Sequence, residues 1–263
     1  MWGRWCLFGA LVVVVATSPS VALHGATGAT PPVLERFLTL DSQPAAQYRA
    51  LRHLEAQNDH FDRSAWLDVW TDADASGFTF EVVDWGGSEY IRDHVLVPTL
   101  DAERKLWLST SLSRSALTPA NYVFEDRGTE RDGLASIGLK PRRKDFLLVD
   151  GSIFLRPEDG DLVRLEGRLS KSPSFWTRRV DVVRWFRRIA GVRMPVAVDS
   201  TASLLVAGRS TFRMTYEYES INHNRVGHPQ PGSAVSSGLS PGGPAASAAP
   251  STSPGAVAAS SRP

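Results

Sequence analysis

Six arginines crowd one stretch of the chain: Arg178, Arg179, Arg184, Arg187, Arg188 and Arg193. Guanidinium groups bind carboxylate or phosphate through paired, charge-assisted hydrogen bonds, so anion recognition is the chemistry this cluster offers. On a strand, Arg184 and Arg188 share a side with Val182 and Phe186, while Arg179 and Arg187 lie opposite. The competing reading is a solvated strand whose arginine stems cover apolar surface. Other residue types offer less. Asp150, Glu158, Asp159 and Asp161 gather around one turn region, where acidic residues need no catalytic explanation. Of the histidines, His53 and His60 stand near Asp59 and Asp62, but seven residues of helix rise about 10 Å, too far to share one ion. They read as surface histidines. The sequence has no Gly-x-Ser-x-Gly, no phosphate loop and no dinucleotide fingerprint. No catalytic residue, metal site or cofactor is predicted, and the chain is read as not an enzyme.

The elements that position these residues are clearest from Asp161 to Asn222, which reads as four consecutive antiparallel strands. In the last, Phe212, Met214, Tyr216 and Tyr218 alternate with Arg213, Thr215, Glu217 and Glu219, the period of a strand with one apolar face. Val163 and Leu165 alternate with Arg164 and Glu166 in the first, and Met194 to Ala207 forms the third. The segment Arg179 to Ile189 is read as strand. Val182, Phe186 and Ile189 at i, i+4, i+7 leave an amphipathic helix ended by Gly191 as the competitor.

Earlier in the chain, Val33 to Leu40 is a short apolar segment without a clear assignment. Asp41-Ser42-Gln43-Pro44 signals a helix start, and a helix is predicted over Ala45 to Asn58. Strands follow at Ala65 to Trp70 and Phe78 to Trp85. Ser88 caps a second helix with Ile91, Val95, Leu100 and Leu106 on its apolar side, kinked or split by Pro98. A strand is expected at Tyr122-Val123-Phe124. Asp150-Gly151 reads as a two-residue hairpin turn between Phe146 to Val149 and Ser152 to Leu155.

Neither end of the 263-residue chain reads as part of the fold. Arg4, the apolar run Leu7 to Ala16 and small residues up to Ala22 form a secretory signal, residues 1–22, too short to span a bilayer. Cleavage near Ala22 gives an exported protein, periplasmic or extracellular, with no transmembrane helix in the mature chain. Cys6, the only cysteine, leaves with that segment, so no disulfide or thiolate site is expected. From 228 to 263 almost every residue is Ala, Ser, Pro or Gly, a composition that cannot offset chain entropy and reads as a disordered tail. Residues 31–226 make a single domain. A formal net charge of +1 argues neither for nor against a polyanionic partner, and export disfavours nucleic acid.

Short connections exclude an all-parallel sheet. The order fits α+β: a large curved antiparallel sheet, a half-open barrel, covered on one face by two or three helices. Three segments resemble an uncharacterised exported bacterial protein family: Gly160 to Arg168, Arg188 to Val196 and Thr215 to Asn222. More distantly the chain is similar to the periplasmic lipoprotein-carrier superfamily, in Gly191 to Pro195 and Tyr218 to Asn222. That resemblance implies a sheet sheltering acyl chains. The ligand is expected to be an apolar or acyl-chain molecule held by Trp66, Trp70, Phe80, Trp85, Ile91, Val95, Phe212, Met214 and Tyr216, with Arg184 and Arg188 at the rim. An ordinary aromatic core explains the tryptophans equally well. The alternative function is an envelope-associated interaction domain with a packed core, whose partner is another envelope protein.

Overall fold

The structure, a computed structural model, describes residues 31–40, 45–107 and 112–231. The leader, the helix-start signal at Asp41 to Pro44, Leu108 and most of the Ala/Ser/Pro/Gly-rich tail lie outside the described residues. The chain runs α1 (Pro32–Thr39), β1 (Tyr48–Asn58), β2 (Arg63–Asp74), β3 (Gly77–Gly87), α2 (Glu89–Ile91), a π turn (Arg92–Leu96), α3 (Val97–Trp107), α4 (Leu112–Ser115), β4 (Tyr122–Thr129), β5 (Ala135–Pro141) and β6 (Val149–Leu155). It continues through β7 (Leu162–Leu169), β8 (Thr177–Ile189), β9 (Val192–Leu204), β10 (Arg209–Ile221) and β11 (Asn224–Arg225).

All strands join one antiparallel sheet in the order β3-β2-β1-β10-β9-β8-β7-β6-β5-β4, with β11 on β10. Two meanders, β1 to β3 and β4 to β10, are therefore fused where β1 pairs with β10. The sheet is open, because β3 and β4 form opposite edges. That topology fixes the helices. The chain leaves one edge at Gly87 and must reach the other at Tyr122, so α2, the π turn and α3 cross one face, burying Ile91, Leu96 and Leu100. This helix-covered side is the inner face of the expected half-open barrel.

The four strands expected between Asp161 and Asn222 are β7 to β10, and the doubtful segment is a strand: Val180, Val182, Arg184 and Phe186 alternate as its buried set. Two expectations need correction. Ala45 to Asn58 is no helix. Tyr48 to Asn58 is β1, hydrogen-bonded on both sides, with Tyr48, Ala50, Arg52, Leu54 and Ala56 on the inner face. Two residues disguise its period of two: Arg52 breaks the apolar side, and Leu51 is buried on the other. Helix propensity is a weak prior that sheet pairing overrides. Asp150-Gly151 is no turn, since both lie inside β6, paired with Arg168 and Gly167. A Cβ on Gly151 would stand 2.0 Å from the Glu166 carbonyl oxygen, so the glycine serves strand approach rather than a bend. The interruption expected at Pro98, the second residue of α3, falls just before it. The five-residue π turn precedes it and gives way to α3 at Val97. The previously unassigned Val33 to Leu40 is mostly α1, entered through Pro32 at its first turn and burying Leu34 and Phe37.

Candidate functional site: a buried arginine on the inner face

Residue pairing carries one apolar row across the inner face. Trp85 opposes Leu67, which opposes Leu54, and Leu54 opposes Met214. The row passes through Val198, Arg184, Leu165, Ile153 and Ile137. One member is a cation. Arg184 is 3% exposed, its Nε is buried without an acceptor, and it has neither ion pair nor hydrogen bond among the described residues. Burial pulls its guanidinium down to about 10; Tyr216, Tyr122 and Glu103 only partly counter that effect. Charged side chains are almost never buried unless paired.

Its neighbour Arg52, on β1, shows the contrast. Arg52 is fully buried, and its Nη1 and Nη2 donate to the two Glu103 oxygens of α3 at 2.6 and 3.0 Å. Nη2 also donates to the Tyr48 hydroxyl at 2.6 Å. The Tyr216 and Phe78 rings stand 4.7 and 5.2 Å from the guanidinium. Glu103 raises the Arg52 pKa well above its ordinary value against the opposing effect of burial. This bidentate pair fastens α3 to the sheet. It also engages both oxygens of the carboxylate whose charge acts on Arg184, and that effect offsets the burial of Arg184 only in part.

The residues expected to line a ligand site divide into four groups. Phe212, Met214, Arg184 and Ile91 are buried on the inner side, with Phe80, Val95 and Tyr216 packed against the same core. Trp85 stands at the β3 edge under the Arg92 guanidinium, 3.8 Å from its ring. Trp66 and Trp70 face outward: Trp66 stacks on His53 at 5.9 Å, and Arg49 covers Trp70 at 4.6 Å. They border the outer face with Glu55, Gln57, Asp199 and Arg213, which line with Trp66 a trough of about 430 Å³. Arg188 is tied to Asp161 at 3.0 and 3.2 Å, and Arg193 donates to the same carboxylate at 3.0 Å. Arg188 is thus half of a structural clamp between β7, β8 and β9.

Sequence reasoning missed Arg52, Glu103, Tyr48, Tyr122 and Phe78. Two signals were present. Arg52 interrupts an alternating apolar set, and Glu103 falls in the helical stripe with Leu96 and Leu100 at i, i+4, i+7. Two complementary misfits on apolar faces identify a buried pair. His53, expected on a helix, lies on β1 with Nδ1 2.6 Å from Asp68, and no group of metal-ligating side chains occurs among the described residues.

No protein-family model and no curated protein matches this sequence. Among solved structures, the chain is similar to a LolA superfamily protein from Nitrosomonas europaea, at 10% identity and a TM-score of 0.34 over 75% of this chain and 93% of that one. It is similar to a DUF1329 family protein from Desulfovibrio piger at 9% identity and a TM-score of 0.32, covering 70% and 88%. MucB, solved in complex with MucA, aligns at 11% identity and a TM-score of 0.20 over 71% of this chain and 92% of that one. The likeness to the LolA superfamily is distant.

Proposed function

We propose that this chain is an exported, non-enzymatic binding protein that holds an acyl-chain ligand between its sheet and its helices. The acidic head of that ligand pairs with Arg184. The observation that carries this reading is the uncompensated guanidinium at the centre of an otherwise apolar row. A fold gains nothing by burying such a charge, and a ligand carboxylate or phosphate supplies the missing partner. The adjoining row adds support: Ala65, Ala56, Ser200, Gly167 and Gly151 leave little side-chain bulk beside Phe212 and Val182. Apolar walls with one convergent polar group are the usual makeup of a small-molecule pocket. The inner-side residues Phe80, Trp85, Ile91, Val95, Phe212, Met214 and Tyr216 are proposed as its apolar lining. Trp66, Trp70 and Arg188 are left out of it.

The test is titration with a fluorescent fatty acid and with the matching fatty alcohol. The parent protein binds the acid more tightly, and Arg184→Met lowers affinity for the acid by about tenfold or more while leaving the alcohol unchanged. Native mass spectrometry of protein purified from a bacterial periplasm shows a co-purified acidic lipid. If the parent binds neither probe and carries no lipid, the chain is instead an interaction domain with a filled interior.

A further inference from the structure

The two ends of the sheet differ in chemistry. At one end, three successive connections lie side by side: the β7/β8 loop, the β9/β10 turn and the β1/β2 turn. The Leu205 amide donates to the Trp176 carbonyl at 2.9 Å, the Asn58 side-chain amide to the Ala207 carbonyl at 2.9 Å, and the Asp59 amide to the Arg209 carbonyl at 3.1 Å. These contacts make one continuous surface of the three tips. It displays Phe175 at 84% exposure, Val206 at 62% and Phe61 at 55%, beside the exposed Trp176 and Leu205. The turns at the other end carry Asp74, Glu130, Asp132, Glu158 and Asp159, and no exposed large hydrophobic residue.

Basic side chains accompany the apolar tips. Lys171, Arg178, Arg209 and Arg63 are exposed there, and none has an ion-pair partner among the described residues. Asp59 and Asp62 in the β1/β2 turn are the opposing charges. Exposed aromatic and aliphatic side chains ringed by unpaired cations match the bilayer interface. There, tryptophan and phenylalanine settle at headgroup depth while lysine and arginine meet anionic headgroups. A protein interface of ordinary composition is depleted in lysine and has no need of surplus positive charge. No described helix is long and apolar enough to cross a membrane.

We propose that this end of the sheet docks on an anionic lipid surface, inserting Phe175, Trp176 and Val206 between headgroups while Lys171, Arg178, Arg209 and Arg63 engage phosphates. The proposal stands independently of a ligand on the inner face. It is tested with the full chain, expressed in a bacterium and purified as the cell processes it, mixed with phosphatidylcholine vesicles with and without phosphatidylglycerol. The parent co-sediments with the phosphatidylglycerol vesicles and is released by salt. Phe175→Ser with Val206→Ser, and separately Lys171→Glu with Arg178→Glu, each lower the partition coefficient by about tenfold or more. Brominated lipid quenches tryptophan emission of the parent, and Trp176→Phe removes that quenching. All substituted side chains are exposed, so thermal melts should match the parent. Parent protein that ignores both vesicle types, or variants that bind as the parent does, would overturn the proposal. A concentration-dependent dimer abolished by the same substitutions, without vesicle binding, would overturn it in favour of a protein partner.

Discussion

Arg52 and Arg184 are both buried arginines on the inner face, and opposite responses to substitution are expected of them. Removing Glu103 strands the Arg52 charge, so Glu103→Gln should cost about 3–5 kcal/mol in urea unfolding. Replacing the pair together, Arg52→Met with Glu103→Leu, should fall near the parent, because two desolvated charges return little over a well-packed apolar pair. Arg184 has no such partner among the described residues. Burial depresses its folded pKa below the ordinary arginine value, to about 10, so the charged form opposes folding at neutral pH, by an amount on the order of 3 kcal/mol from the shift. Arg184→Met should therefore raise the urea midpoint of the ligand-free protein. An unchanged or lowered midpoint would mean that the guanidinium is compensated after all. A stabilising substitution that abolishes acid binding is the signature of a residue kept for function.

At the scale of elements, the glycine pair Gly151 and Gly167 has the sharpest consequence. They oppose each other across β6 and β7, and a Cβ on either meets the other strand's backbone at 2.5 Å or less. Gly151→Ala should destabilise by about 1–3 kcal/mol, the usual cost of overpacking, read as a shift in urea midpoint at constant slope. Much of the strand framework was legible: β2, β3, β4 and β7 to β10 follow from alternation and turn residues. The failures have local causes. A dipeptide such as Asp-Gly reports what a backbone tolerates, and a strand approached closely by its neighbour tolerates glycine for a different reason than a turn does. In β1, helix-forming composition outweighed an alternation that Arg52 had interrupted. The candidate site was half legible for the same reason. Arg184 was selected by its cluster and Phe212, Met214 and Tyr216 by their strand. Trp66 and Trp70 were selected by residue type, and the pleat turned them outward.

For the molecule as a whole, the interior is rich in buried tyrosine. Tyr122 and Tyr216 are pushed up to about 12 by burial, and burial raises Tyr48 and Tyr218 further. A raised folded pKa means that the native state holds its protons longer than the unfolded chain. The stability these groups lend is complete below pH 10 and is lost as pH rises through 10 toward 12 and beyond, at up to about 1.4 kcal/mol per pH unit for each tyrosine. Arg184 and Arg193, lowered by burial, act in the opposite direction over the same alkaline range. Four tyrosines outweigh two arginines, so stability in urea unfolding should fall steeply between pH 10 and pH 12, by an amount on the order of several kcal/mol. A flat profile would show that the tyrosines are reached by water. The end-to-end asymmetry belongs to this scale too, since no single turn is amphipathic enough to bind a bilayer and the three tips together are.

The sequence alone determined the class of the protein. Period-two alternation and short connections demand an antiparallel sheet, because side chains on a strand must sort between core and water wherever that strand is placed. It also marked the arginine cluster that contains Arg184 and Arg188, with a solvated strand and an anion contact as its two readings. Only the tertiary structure decided that β1 pairs with β10, which side of each strand the helices cover, that Glu103 neutralises Arg52, and that Arg184 forms no ion pair among the described residues. Those facts depend on contacts between residues far apart in the chain, and a local pattern carries no record of the partner that folding brings to it.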